Sequence, residues 1–493
     1  MRGLPLAFVS LAAFFSCGCF AQSALDQYHD EALVWEHYDT TIHMHADGTG
    51  DRILHVTARL QSEGAVRQFS VIQVGFASAY ETGNIDFLRV HKADGTTVET
   101  PVADAMEMPA PVTTVAPLYS DLKVKQLPVR SLSAGDVIDY QLHTVRTKAE
   151  VPDQFWGAEH FLRDAGVVLS QTLTLEVPVN AYVQVWDPNH PTTPKQHDGV
   201  RTYSWSASQL TPTGSAKAPA SAQSTVQKIN DPDQDAEGRK LPSVAWTIFH
   251  SWAEVGTWYR GLALPRSAPT PAIVGRANEL TKDAKTPEEQ VRVLYDFVST
   301  RIHYVGIDFG VGRYQPHTAE EVMDHQYGDC KDKDTLLEAL LRARGFVTAP
   351  ALIGMGITAV PDLPSPALFN HVITTVELSG GRTWLDTTPG SAAFRVLVEP
   401  IRDQLSLVVP AAVTASLERT LADPPFPYFE RFNAAGSLDK DGLRSAAEEL
   451  NRLKRYLRRI VLVSHQEEFT DHFPVVIQLS KGEAGTTARA VRR

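Results

Sequence analysis

Between residues 28 and 205 apolar and polar positions alternate with a period of two. In YDTTIHMHADGTGDRILHVTARL, Tyr38, Thr40, Ile42 and Met44 share one face, and Leu54, Val56, Ala58 and Leu60 continue it after Asp47-Gly48. Side chains of a strand point alternately to its two faces and Asp-Gly favours a tight reversal, so this segment predicts a hairpin. The same texture at 133–146, 170–186 and 199–208, punctuated by Pro, Gly, Asn and Asp, predicts an all-β, sandwich-like, antiparallel domain over residues 22–208. Its polar faces suit a peptide or a glycan, and it carries no cluster of catalytic residue types.

Residues 209–240 turn to Ser, Thr, Ala and Pro and predict a linker or long loop. Asp231, Asp233 and Asp235 alternate there as in a calcium loop, but the Gly and terminal Glu of that motif are missing, so a solvated acidic loop is expected. A helical period begins near 248. SWAEVGTWYRGL (251–262) opens on Ser251 as N-cap, and 286–305 opens on Thr286-Pro287 before Val291, Leu294, Tyr295, Val298 and Ile302 at helical spacing. These stripes read as core.

YGDCKDKDTLLEALLRARG (327–345) predicts a helix from Asp329 or Cys330, with Leu336, Leu337, Leu340 and Leu341 on one face and Gly345 at its C-terminal end. FNHVITTVELSGGRTWLDTTPG (369–390) predicts two strands joined at Gly380-Gly381, His371 opening the first and Asp386 closing the second. Antiparallel pairing would set those two ends side by side.

The 493 residues are 43% apolar, enough for two or three domains. A net charge of −12 and a pI near 5.8 argue against general nucleic-acid binding, which needs broad neutralisation of phosphates. The start has Arg2, an apolar run from Leu4 to Phe15 and small residues to Ala21, a signal-peptide pattern over 1–21 that predicts a periplasmic or secreted protein. Lipidation at Cys17 or Cys19 would want an aliphatic residue three positions earlier, where Phe14 and Ser16 stand. No later window is long and apolar enough for a transmembrane segment. Once the leader is removed, Cys330 is the one thiol left and cannot form an internal disulfide.

A thiolate at a helix N-terminus gains from the unpaired backbone N–H groups, and Lys331 and Lys333 add positive charge, while Asp329, Asp332 and Asp334 oppose it. A nucleophile needs a base and the base an orienting group, which points to His371 and Asp386. His317 and His325 with Cys330 make a poor zinc pattern, so neither metal nor cofactor is expected.

YGDCKDKDTLLEALLRARG, FNHVITTVE and WLDTTPG together resemble the Cys-His-Asp core of the transglutaminase-like superfamily, itself similar to papain-type peptidases in arrangement. IHYVGIDFGVGRYQPHTAEEVMDHQYGDCKDKDTLL resembles its bacterial subgroup in which the core follows a DUF3857-type domain. The resemblance implies an α+β core over 241–410 behind the β-rich domain, with Cys330 as nucleophile, His371 as base and Asp386 as its orienter. It implies acyl transfer, with hydrolysis of a peptide or amide expected over cross-linking. A non-catalytic peptide- or glycan-binding scaffold is the alternative from another class. Gln315 is the first choice for a side-chain oxyanion donor, Gln326 the second, and Tyr314 is expected to line the approach. The expected partner is a peptide or protein substrate or a cell-envelope polymer.

Past 411 the chain has Pro-rich turns and then Leu443, Ala447, Leu450 and Leu457 near helical spacing, with Arg452, Lys454, Arg455, Arg458 and Arg459 making a basic segment. A solvated basic face is expected there, followed by an incomplete β domain.

Overall fold

The structure is a computed structural model that describes residues 28–116, 121–149, 155–162, 166–210, 233, 240–306, 314–390, 392–424, 475–482 and 485–492. The expected leader, nearly all of the linker and the basic segment at 443–459 lie outside the described residues.

The first half is built from strands, as its alternation requires. β1 (Leu33–Met44), β2 (Gly50–Leu60), β4 (Glu81–His91), β5 (Thr97–Glu99), β8 (Val137–Arg146), β10 (Val167–Pro178), β12 (Lys195–His197) and β13 (Val200–Leu210) form one sheet ordered β12-β13-β10-β1-β2-β8-β4-β5. β3 (Val71–Ala77), β6 (Met106–Pro109) and β7 (Leu122–Pro128) form a second, with β7 central. The short helices α1 (Glu63–Gln68) and α2 (Val112–Val115) lie between strands. The predicted hairpin is present, Thr40 opposite Leu54. Ile42, Val56, Ala58 and Leu60 are buried in the core with Leu88, Ile138, Leu175 and Trp205.

One pairing departs from the antiparallel expectation: β1 and β10 run parallel, with Thr40 level with Leu173. Parallel neighbours cannot be joined by a hairpin. Local turn signals therefore could not reveal this pairing, which closes over more than a hundred intervening residues. Asp233 corrects a second expectation. It is buried, accepts a hydrogen bond from Ser243 Oγ at 2.5 Å and one from Asn189 Nδ2 at 3.4 Å, and is not a solvated loop residue. Among the described residues no group of His, Cys, Asp and Glu is arranged to hold a metal ion.

β9 (Trp156–Glu159), β11 (Gln184–Trp186) and β14 (Val244–Thr247) form a third sheet, β14 in its centre. The helical region follows: α3 (Trp252–Ala263), α4 (Pro271–Thr281), α5 (Pro287–Arg301), α6 (Ala319–His325) and α7 (Cys330–Ala343). Ser251 caps α3 through the Glu254 N–H, and Thr286 and Glu289 make a reciprocal capping box on α5. β15 (His303–Tyr304) and β16 (Tyr327–Gly328) pair in parallel ahead of α7. β17 (Thr348–Ile353), β18 (His371–Leu378), β19 (Gly381–Leu385), β20 (Leu405–Val408) and β21 (Ser416–Arg419) make a sheet ordered β19-β18-β17-β20-β21.

α7 packs its leucine face into a core with Val291, Leu294 and Val298 of α5 and with Val376 of β18. Its C-terminus is closed by Gly345 at φ +81°, with Gly345 N donating to the Arg342 carbonyl and Phe346 N to the Leu341 carbonyl, the double reversal that glycine's tolerance of positive φ permits. Beyond 425 the chain forms a separate unit, whose described part is the hairpin of β22 (Val475–Gly482) and β23 (Gly485–Arg492).

Leu340 is fully buried in this core, so Leu340→Ala is expected to lower unfolding free energy by about 2–5 kcal/mol in urea titration, at an unchanged m-value.

Candidate active site

Two local structures, the start of α7 and the hairpin of β18 and β19, set a buried cysteine near a His–Asp pair. α6 stops at Gln326, whose φ of +60° ends the helix and whose carbonyl accepts the His303 N–H at 2.8 Å. The chain then crosses Gly328, where a Cβ would stand 2.6 Å from the Asp332 Cβ, so only glycine admits the return of Asp332. Asp329 caps α7, accepting the Asp332 N–H at 3.3 Å while the Asp332 carboxylate accepts the Asp329 N–H at 3.4 Å. That cap places Cys330 at the first helical position.

The hairpin of β18 and β19 supplies the other two. Leu378 pairs with Gly381 at its turn and Thr374 with Leu385 near its open end. His371 opens β18 and Asp386 follows β19, so His371 Nε2 donates to Asp386 Oδ2 at 3.2 Å. The other carboxylate oxygen accepts the Thr388 N–H at 2.9 Å and the Thr388 hydroxyl at 2.7 Å. Tyr295 Oη donates to the Asp386 carbonyl at 2.9 Å and fixes the backbone beneath. Cys330, His371 and Asp386 are 3%, 2% and 1% exposed, so the cysteine lies buried near a His–Asp pair.

Burial disfavours the imidazolium of His371, but the Asp386 charge and hydrogen bond outweigh it, and the Cys330 side chain also favours the charged ring; the pKa is pushed up to about 10. Burial likewise works against charge on Asp386, where the His371 charge and the His371 and Thr388 hydrogen bonds prevail and hold the carboxyl below its ordinary range. At neutral pH the pair is an imidazolium and a carboxylate.

The lysines are not free cations beside the thiol. Lys331 pairs with Asp329, and Lys333 Nζ donates to the Ile302 carbonyl at 2.8 Å and the Ser299 carbonyl at 3.4 Å, at the end of α5. Burial pushes Lys333 down to about 8 against the opposing pull of Asp386. Asp334, one turn beyond Cys330, accepts the Thr374 hydroxyl at 2.6 Å, and burial followed by Glu338 pushes its carboxyl well up.

Tyr314 packs in the same buried cluster as Cys330, with Phe369 and Val372. Gln315 is exposed, and Gln326 is exposed beside Phe297 and Met323 in a shallow cleft at the end of α6. His325 is exposed and bonded to its own helix through Nδ1 and the Glu321 carbonyl at 2.7 Å. His317 instead meets Asp332: its backbone N–H donates at 2.8 Å and Nδ1 lies 3.1 Å from Oδ2. A larger cleft of about 880 Å³ lies between α3 and residues 412–414; Phe249 and Trp258 line it, and none of Cys330, His371 and Asp386 does. Sequence reading missed Thr388, Tyr295 and Thr374. Thr388, two residues after Asp386, has the spacing of an Asx turn and was the one local signal available.

Family models match the Domain of Unknown Function DUF3857, a family with a solved structure, at residues 46–213 and the Transglutaminase-like superfamily at residues 275–389. The chain joins an N-terminal DUF3857 domain to a transglutaminase-like core. A crystal structure of a "putative protease" from Parabacteroides distasonis ATCC 8503 is similar over 80% of this chain and 72% of that one, with TM-score 0.64 at 15% identity, and shows a shared fold. A "putative cysteine protease" from Cytophaga hutchinsonii gives TM-score 0.24 at 13% identity over 54% of this chain and 80% of that one. An M1 zinc metallopeptidase from Deinococcus radiodurans gives TM-score 0.22 at 14% identity over 36% of this chain and 39% of that one. No curated protein matches the chain. Among the described residues no helix is long and apolar enough to cross a membrane.

For His317 burial opposes charge, but the Asp332 hydrogen bond and charge raise its pKa; Asp332 is held low by His317 and Lys331 despite its own burial. A raised histidine contributes stability that is complete below its unfolded value of about 6.5 and is lost as pH rises through the folded value. A lowered aspartate contributes stability that is complete above its unfolded value of about 3.9 and is lost as pH falls through the folded value. The difference in Tm between wild type and Asp332→Asn is therefore expected to be greatest between about pH 4 and 6.5 and to shrink on either side, as read by calorimetry across pH.

Proposed function

We propose that this protein is a cysteine-dependent acyl-transfer enzyme of the periplasm or the extracellular space that hydrolyses peptide or amide bonds. The observation that carries the reading is Cys330 at the start of α7, buried near a His371 ring whose Nε2 is already bonded to Asp386 at 3.2 Å. With Nε2 engaged, Nδ1 is the nitrogen left for the thiol. The fold shared with a protein named a protease supports the same reading.

In this mechanism the Cys330 proton already rests on His371, which is an imidazolium at neutral pH, and the thiolate Sγ attacks the carbonyl carbon. The oxyanion is held by the Cys330 backbone N–H, which points outward at the first helical position. His371 gives its proton to the departing amine, the carbon–nitrogen bond breaks and a thioester remains. Water then attacks the thioester, His371 accepts its proton, the carbon–sulfur bond breaks and Cys330 is restored with a free acid released. Asp386 keeps the ring in the tautomer that serves both transfers. Gln315 and Gln326 remain the proposed side-chain donors, from positions at the two ends of the 315–326 segment.

The near-complete burial of the three groups favours a second reading, a peptide-binding scaffold in which the site is closed to turnover.

Alkylation of Cys330 by iodoacetamide separates the two. For an activated pair the rate is expected to stay level well below the ordinary thiol pKa of about 8.5 and to fall at least about tenfold near pH 6 in His371→Ala. An ordinary thiol profile, indifferent to His371, would move the assignment to the scaffold.

A further inference from the structure

Among the described residues, Trp156 brings the N-terminal domain against the buried cluster that contains Cys330. Trp156 lies within the DUF3857 match, whereas Tyr314 and Cys330 lie within the transglutaminase-like match. Its indole Nε1 donates to Tyr314 Oη at 3.2 Å. The two rings meet edge to face with centroids 5.5 Å apart, a favoured geometry for aromatic pairs. Trp156 also meets Trp258 edge to face at 4.9 Å, and Trp258 meets Tyr314 at 5.0 Å. Tyr314 is 6% exposed in the cluster that contains Cys330.

The strand that carries Trp156 is held firmly. β9 pairs with β14, Trp156 opposite Thr247, and a Cβ on Gly157 would meet the Trp246 ring at 2.2 Å, so the two strands approach as closely as glycine allows. Thr247 Oγ1 donates to the Pro364 carbonyl at 2.8 Å, and Trp252 Nε1 to the Pro361 carbonyl at 2.7 Å. These bonds tie the same small sheet and the helix after it to the segment that leads into His371.

We propose that Trp156 is a positioning residue by which the N-terminal domain sets the orientation of Tyr314, and through it the approach of a peptide acyl donor to Cys330. This rests on the acyl-transfer reading above. It makes the N-terminal domain part of the specificity of the site. A small electrophile needs only the thiol, whereas a peptidyl one must also pass Tyr314, so the two respond differently when Trp156 is altered.

The test uses the full chain and two thiol reagents, iodoacetamide and benzyloxycarbonyl-Ala-Ala chloromethyl ketone. Trp156→Ala is expected to lower the ketone rate at least about tenfold relative to the iodoacetamide rate, since displacing a positioning group by an ångström is enough for such an effect. Trp156→Phe keeps a ring and loses the donor; it and Tyr314→Phe are expected to give smaller losses that do not add in the double variant, because both remove one hydrogen bond. Trp156→Phe also preserves the test should the alanine variant not fold. A ratio unchanged within about twofold in folded variants, or parallel loss of both rates, would overturn the proposal. So would a wild-type thiol that iodoacetamide finds activated and the ketone leaves untouched. Wild-type alkylation indifferent to His371→Ala would instead overturn the acyl-transfer reading on which this one stands.

Discussion

A helix buried over its first three turns can carry charge only where each charged group finds a partner, and α7 is buried from Cys330 to Leu341 with Lys331, Asp332, Lys333, Asp334 and Glu338 among those residues. Leaving one buried charge without its partner costs about 3–5 kcal/mol, so these contacts bind the surrounding elements to the helix. Asp329 answers Lys331, His317 answers Asp332, the last carbonyls of α5 answer Lys333, and Arg342 with Thr348 answers Glu338. Asp334 is the exception in kind: Thr374 donates to it, and burial followed by Glu338 raises its pKa. Asp329 and Arg342 belong to the helix and its cap, whereas His317, the end of α5, Thr348 of β17 and Thr374 of β18 come from elsewhere in the chain and together fix the height and rotation of the helix whose first residue is Cys330.

The hairpin is the second fixed body. Its register sets His371 and Asp386 at adjacent strand ends, and Thr388 and Tyr295 hold the aspartate from two further directions. Thr374 belongs to the hairpin and Asp334 to α7, so one hydrogen bond joins the two bodies a short way below the thiol and the imidazole. The imidazolium is stabilised by a carboxylate that is itself stabilised by the imidazolium. In a site from which water is excluded that mutual dependence is strong, since either charge alone would be unsolvated.

The two family modules are not joined by a linker alone. β14 lies after the DUF3857 match and before the core match, yet pairs on both sides with strands of the N-terminal domain. Thr247, at the end of that strand, donates to the Pro364 carbonyl of the core, so moving the domains apart there would break a buried hydrogen bond. Trp156 reaches Tyr314 from that shared sheet.

Several features were legible in the residues alone. The alternation in β1 and β2, the Thr286 and Ser251 caps, and the leucine face and Gly345 end of α7 each depend on neighbours a few positions apart, where the sequence carries the whole signal. The motifs around Cys330, His371 and Asp386 also identified the core, because their residue types and order are specific. Other features required the tertiary structure. Lys331 and Lys333 read as cations near a thiol, but a flexible side chain takes its partner from whatever the fold brings near, here Asp329 and two carbonyls of α5. The parallel partner of β1, the buried place of Asp233 and the pairing of His317 with Asp332 close over long or irregular stretches that leave no periodic trace. Trp156, 158 residues before Tyr314, is the extreme case: local chemistry marks it as one more strand aromatic, and only the packing of one domain on the other makes it a neighbour of the site.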